Sequence, residues 1–280
     1  MTLQEAAAHL DLHYMTVYRY VRLGRLPATR QGTGWLVRTA DVERLRAAPP
    51  RRPRGITRAT LDGLAERMLA GDNAGAWWLI ENRLAGGAEP TLVMTDLIVP
   101  VLRSIGDRWA SGELSVADEH RASAVAQRLV GRLGLQFGTR GKTRGTVALA
   151  APAGDFHTLP VAIAADLLRW RGLDVLELGG NTPAEALGDC VIGVERLLAV
   201  GIVATTPGLD DAVAASVAAV HRTAPAIPIV VGGQAVPDAA RARALGADEW
   251  SGPDIHAALD TIERLAGPAC RTAGRPPGPA

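Results

Sequence analysis

The sequence predicts a multidomain protein of α and α/β class: a winged helix-turn-helix head, a four-helix bundle and a flavodoxin-like (Rossmann-type) domain. Three observations predict it. Residues 1–55 hold ten arginines and four acidic residues, a charge of +6, whereas the remainder carries −5. Residues 57–138 read as helices separated by short Gly-marked breaks. Residues 144–266 alternate apolar strands with helices, the pattern of a parallel sheet covered on both faces. With 280 residues, 48% of them hydrophobic, the chain can build sizeable cores without disulfide staples. Cys190 and Cys270 have neither metal-site spacing nor a disulfide framework, which fits a reducing compartment. No basic-then-apolar leader opens the chain, and no apolar run reaches the roughly 18 residues of a membrane span. The expectation is a soluble, cytoplasmic protein with no membrane partner.

Residues 1–48 form the predicted head. "LQEAAAHL" has helical apolar spacing, "DLH" makes a turn, and "YMTVYRYVRLGRL" is a second helix. Val17, Tyr20 and Val21 share one face of it, with Tyr18, Arg19 and Arg22 largely off that face. Gly24 stops the helix. "ATRQGTGWLVR" reads as a hairpin turning at Gly32 and Gly34, and "TADVERLRAA" as a closing helix started by Asp41. A basic helix followed by a basic hairpin fits a polyanion, and a small basic domain contacting protein or RNA is the alternative. The stretch "TVYRYVRLGRLPA" resembles the helix-to-wing sequence of MerR/excisionase-type DNA-binding domains. The resemblance implies that Tyr14, Thr16, Tyr18, Arg19 and Arg22 face the major groove of double-stranded operator DNA. It puts Arg30, Thr33 and Arg38 on or beside the wing, near phosphates. One head is a small footprint, so specific binding argues for a homo-oligomer, a dimer or a tetramer.

"PPRRPRG" makes residues 49–56 a stiff, solvated linker. The bundle, 57–138, follows, and Pro100 should kink or split its third helix. Trp109 closes that helix, and Glu119-His120 sits inside the fourth. Taken singly, Trp109 reads as core and Glu119-His120 as a solvated pair. Adjacent helical residues point about 100° apart, so the pair cannot both be plain core.

In residues 144–266 the predicted strands are "TVALAAP", "DVLELG", "LLAVGIVATT", "PIVVGG" and a short "DEW". Ligands of such sheets bind beyond the carboxyl ends of the strands, where strand order reverses. Asp155 and His157 follow the first strand, Ala204-Thr205-Thr206 the third, and Gly232-Gly233 the fourth. No G-x-G-x-x-G or P-loop motif is present, against NAD and nucleoside triphosphates. No Cys/His spacing builds a zinc site. His157 is thus a structural cap, a phosphate contact or a metal ligand. Asp155 favours the last, because a carboxylate on one imidazole nitrogen makes the other a better donor. One protein ligand suits a metal whose other positions a macrocycle fills.

"D-F-H-T-L-P", joined by "A-T-T" and "G-G", resembles the Asp-x-His-x-x-Gly signature of cobalamin-binding domains. The resemblance implies that His157 is the lower ligand of cobalt, backed by Asp155. It further implies that the cofactor's nucleotide tail lies between strands near Thr205, Thr206, Gly232 and Gly233. Pro160 stands where the signature has glycine, and A-T-T replaces the usual Ser-x-Leu. "W-A-S-G-E-L-S-V-A-D-E-H" fits Trp-x9-Glu-His and is similar to cobalamin-dependent photoreceptor regulators of the CarH/LitR type. There Trp109, Glu119 and His120 would line the pocket of an upper adenosyl group. Those photoreceptors carry a histidine directly after the tryptophan, and here it is Ala110.

The reading is a DNA-binding transcriptional regulator, a repressor and no enzyme. It binds adenosylcobalamin and responds to light by cleavage of the cobalt–carbon bond and a change of oligomeric state. A corrinoid methyl-carrier module and a light-insensitive cobalamin sensor are the alternatives. The Pro/Gly-rich residues 268–280 read as a disordered tail.

Overall fold

The structure, a computed structural model, describes residues 1–10, 14–22, 24, 26–32, 34–47, 55–137 and 143–267, without the side chains of residues 15, 16, 19, 22 and 47. The predicted turn at 11–13, most of the linker (49–54) and the 268–280 tail lie outside the described residues. The chain divides into two compact units, Met1–Leu129 and the remainder from Val130.

The first unit opens with helix α1 (Leu3–His9), in which Thr2 and Glu5 form a reciprocal capping box. Helix α2 (Tyr14–Arg22) follows. Strands β1 (Ala28–Gln31) and β2 (Gly34–Val37) pair antiparallel as the predicted hairpin, and helix α3 (Thr39–Ala47) closes the head. Leu3, Ala6, Ala7, Val17, Leu26, Val37 and Val42 form one core across these elements. Gly24 stops α2 as expected, in a left-handed conformation (φ +68°) that costs a residue without Cβ little. Two expectations need correction. Tyr18 does not stand clear of the core face; it packs partly buried against it and stacks on exposed Tyr14, with 6.4 Å between ring centroids. Asp41 does not start α3 as a cap; it lies buried in the first turn and takes Arg38 Nε at 2.8 Å and Arg44 at 3.0 Å.

Helices α4 (Arg58–Ala70) and α5 (Asn73–Ala85) come next. The third predicted helix is split just before Pro100, as a proline lacking its N–H requires. It runs as α6 (Pro90–Val93), a π-helical stretch Met94–Ile98, and α7 (Val99–Ala110). The Val99 N–H reaches back five residues to the Met94 carbonyl, and the widened turn takes up the strain of the proline ring. Helix α8 (Val116–Gly134) completes the four, and the boundary between the compact units falls within it. Leu64, Met68, Ile80, Leu97, Ile98, Ile105, Val125 and Ala126 are among the buried residues of these helices.

The second unit is a five-stranded parallel sheet of β3 (Thr146–Pro152), β4 (Asp174–Thr182), β5 (Leu197–Val203), β6 (Ile229–Gly232) and β7 (Glu249–Trp250). Its order is β4-β3-β5-β6-β7, the flavodoxin-like order. The connecting helices are α9 (Thr158–Trp170), α10 (Ala184–Cys190), α11 (Asp210–Thr223), α12 (Ala239–Ala244) and α13 (Ile255–Leu265). Helix α9 packs with α13 and α10 with α11. The chain leaves β3 to one side for β4 and then crosses to the other for β5, so the loops after β3 and β5 diverge. That is the point of strand-order reversal. No described helix is long and apolar enough to cross a membrane.

Candidate functional site

The site after β3 is built around one carboxylate. Asp155 has no exposed surface, yet it lies in a loop at the sheet edge. Five hydrogen bonds hold it. Its Oδ2 accepts the backbone N–H of Thr205 at 2.6 Å and of Thr206 at 3.0 Å. Its Oδ1 accepts the Thr206 hydroxyl at 3.1 Å, the His157 N–H at 3.2 Å and His157 Nδ1 at 2.8 Å. Burial pushes the carboxyl's pKa up, but the bonds from His157, Thr205 and Thr206 outweigh it and hold the group well below the usual carboxylate range. It is therefore ionised and can only accept. The Nδ1 of His157 accordingly carries the proton, and Nε2 is the nitrogen with the lone pair.

The geometry removes one of the three readings of His157, the structural cap. The residue is the N-cap of α9, but its side chain makes no capping hydrogen bond. Its ring turns to Asp155 instead, with Thr206 Oγ1 3.3 Å from Nδ1, and 53% of the side chain is exposed. A half-exposed imidazole with its second nitrogen made basic is suited to ligate a metal. Among the described residues no group of three or more His, Cys, Asp or Glu converges to hold an ion. A single imidazole nitrogen is compatible with a metal that brings its other ligands in a macrocycle. Pro160 is tolerated because it falls in the first turn of α9, where the N–H has no intrahelical partner.

The glycine pair serves close approach. Ala204 N–H donates to the Gly232 carbonyl at 2.7 Å. A Cβ on Gly233 (φ +105°) would lie 2.3 Å from the Ala204 oxygen, and one on Gly232 would lie 1.8 Å from Ser251 Oγ. This packing holds the turn that aims Thr205 and Thr206 at Asp155. β5 ends at Val203, three residues short of the predicted strand end at Thr206, and the Thr205 and Thr206 amides bond the carboxylate instead of the ladder. The structure thus brings Asp155, His157, Thr205 and Thr206 together, with Gly232 and Gly233 beside them. Sequence reasoning passed over Ser251, Asn181 and Phe156. Phe156 lies between the Asp and the His and is 73% exposed. An apolar ring in a polar loop was the available signal.

In the first unit, Trp109 ends α7 with 46% of its surface exposed, which removes the core reading. Glu119 and His120 lie in the first turn of α8, bonded to each other at 2.7 Å, and Ser123 holds the other Glu119 oxygen. Arg108 braces the turn between the two helices by bonding Glu113 at 2.7 Å. In the head, Tyr14 and Arg30 are exposed, and Arg38 is exposed but paired with Asp41. Thr33 and the side chains of Thr16, Arg19 and Arg22 lie outside the described residues.

Residues 1–48 match the family described as a helix-turn-helix domain, and residues 60–133 the family described as a B12 binding domain. The chain is 35% identical over 106 residues to the HTH-type transcriptional repressor CarH of Myxococcus xanthus. That match takes in 38% of this chain and 34% of the relative, so the chain spans about a third of the curated protein's length. The fold is shared with the monomethylamine corrinoid protein of Methanosarcina barkeri (TM-score 0.60, 17% identity, 74% of this chain and 99% of that one). The resemblance to CarH-type regulators and the mixed helical and parallel-sheet fold are both borne out.

Proposed function

We propose that the chain is a transcription repressor that binds operator DNA through residues 1–48 and senses adenosylcobalamin through residues 57–138 and 144–266, in the cytoplasm and as a homo-oligomer. The observation that carries the reading is the Asp155–His157 pair at the point of strand-order reversal. His157 Nε2 would hold the cobalt. Asp155 keeps the ring in the Nδ1–H tautomer and at one angle. Thr205, Thr206, Gly232 and Gly233 would hold the nucleotide tail. Trp109, Glu119 and His120 would hold the adenosyl group. When bound, the cofactor supplies a cobalt–carbon bond that light can break. The cofactor regulates DNA binding only in so far as it binds two assembly states with different affinity.

The match to a helix-turn-helix family at the head supports a regulator over a methyl-carrier module. The side chain of Ala110 has no donor atom, so it would supply no ligand to the cobalt. The test is an absorbance spectrum of the purified chain with adenosylcobalamin, in darkness and after light. The expected result is a dark spectrum with one histidine on cobalt and an illuminated one still with one. A chain that stays colourless refutes the cofactor. Two imidazoles after light would refute the reading of Ala110.

A further inference from the structure

The loop bearing Asp155 and His157 is held from both neighbours of β3, and only one of those holds is part of the site described above. On the β5 side, Thr205 and Thr206 reach the Asp155 carboxylate. On the other side lies the carboxyl end of β4. Pairing of β3 with β4 is regular from Thr146↔Asp174 to Leu149↔Glu177 and then slips, so that Ala150 faces Gly179 and Pro152 faces Thr182. Two residues in the slipped segment are left-handed, Gly179 (φ +75°) and Asn181 (φ +51°). Asparagine is among the few side-chain-bearing residues that tolerate this region.

The slip turns Asn181 toward the loop. Its backbone N–H donates to the Asp155 carbonyl at 2.6 Å, and its side-chain Oδ1 accepts the Gly154 N–H at 2.8 Å. Gly180 lets the strands close up, since a Cβ there would lie 3.1 Å from the Asp155 carbonyl oxygen and 3.1 Å from Thr158 Cγ2. Asn181 thus grips the peptide groups on both sides of the Gly154–Asp155 bond. Neither of these two bonds touches the Asp155 carboxylate or the imidazole.

We propose that Asn181 is a positioning residue that clamps the backbone of the Asp155–His157 loop from β4, and so sets where the His157 ring stands. Its bearing on cobalamin rests on the function proposed above. Two properties of the side chain are needed together: tolerance of the left-handed conformation and a carbonyl-type acceptor.

The test uses the full chain with Asn181→Gly, which keeps the backbone freedom and removes the acceptor, and Asn181→Asp, which keeps both. In the cofactor-free protein, amide hydrogen exchange should show Gly154, Thr205 and Thr206 protected. In Asn181→Gly these three should lose protection while Val147 to Ala150 in β3 keep it, and Asn181→Asp should restore them. With cobalamin, Asn181→Gly should bind about 3- to 10-fold more weakly, the equivalent of one neutral hydrogen bond. A smaller share of its bound cofactor should show histidine on cobalt at saturation. Fast exchange of Gly154 in the parent protein, which needs no variant to fold, would overturn the clamp. So would an Asn181→Gly protein with the parent's protection and affinity. If the exchange pattern is as expected but the parent does not bind cobalamin, the clamp stands and the cofactor reading falls.

Discussion

Around Asp155, five hydrogen bonds converge on a carboxylate with no exposed surface. Around Trp109, an indole stands half exposed, and the neighbouring Glu119–His120 pair has its imidazole 74% exposed. The first arrangement exists before any ligand arrives. A buried charge must find partners in the folded protein itself, or folding bears its desolvation. The second arrangement is under no such obligation, because water serves its groups and an exposed pair contributes about 0–1 kcal/mol. The difference teaches that the two candidate pockets can fail separately. On the proposed function, damage to the first should change the fold and the proposed metal ligand together, whereas damage to the second should change ligand choice alone.

The largest expected effect separates the ligand from its support. His157→Ala should weaken cobalamin binding by about 100-fold or more, beyond the second-sphere range, and remove the histidine-on spectrum. Titration followed by absorbance checks this, and unchanged affinity would end the comparison by removing its first member. Next comes Asp155→Asn, expected to cost about 10- to 100-fold in affinity. Asp155→Ala should lower stability by about 1–3 kcal/mol in urea, because the donors that bond the carboxylate are left unsatisfied. The acid behaviour has a definite sign. The folded carboxyl lies below its ordinary value, so as pH falls below about 4 the unfolded chain takes up the proton first. The stabilisation is complete above that pH and drains away below it, and Asp155→Asn should flatten the acid limb of the urea midpoint.

The head sharpens the contrast at intermediate size. Arg19→Ala should cost about 1–3 kcal/mol on the preferred operator and blunt sequence preference, whereas Arg30→Ala should weaken all sequences alike and shallow the salt dependence. DNA titrations at several salt concentrations measure both. Retention of specific binding without residues 1–48 would refute the assignment. The smallest effect belongs to Trp109→Ala. Stability should change by no more than about 1 kcal/mol, as befits a half-exposed side chain. Selectivity for adenosylcobalamin over methylcobalamin should fall. A large stability loss with unchanged selectivity would return Trp109 to the core and erase the contrast.

The strands and most helices were legible because their signal is local. Apolar alternation in "TVALAAP" marks β3 to the residue, and Pro100 announced the break at which α7 begins. The misjudged features all depend on partners that local pattern does not reveal. Tyr18 is drawn onto the head core by contacts from other elements, and Asp41 is buried by the packing of α3. Chain-local periodicity extends β5 through "ATT" until one knows that a carboxylate about fifty residues earlier takes the Thr205 and Thr206 amides.

The sequence by itself determined the order of head, helices and parallel sheet, and the spacing that puts an aspartate and a histidine just past the first strand. Those properties follow from side-chain polarity repeated at two or about 3.6 residues, which each segment carries within itself. Tertiary structure alone decided that Asp155 is buried and charged, that Nδ1 of His157 bonds it, and that Asn181 turns left-handed to grip the loop. Each of these needs β4 and β5 on opposite sides of β3 in a particular register. Strand order and register are set by how whole helices and strands share one core, and no single segment contains that information.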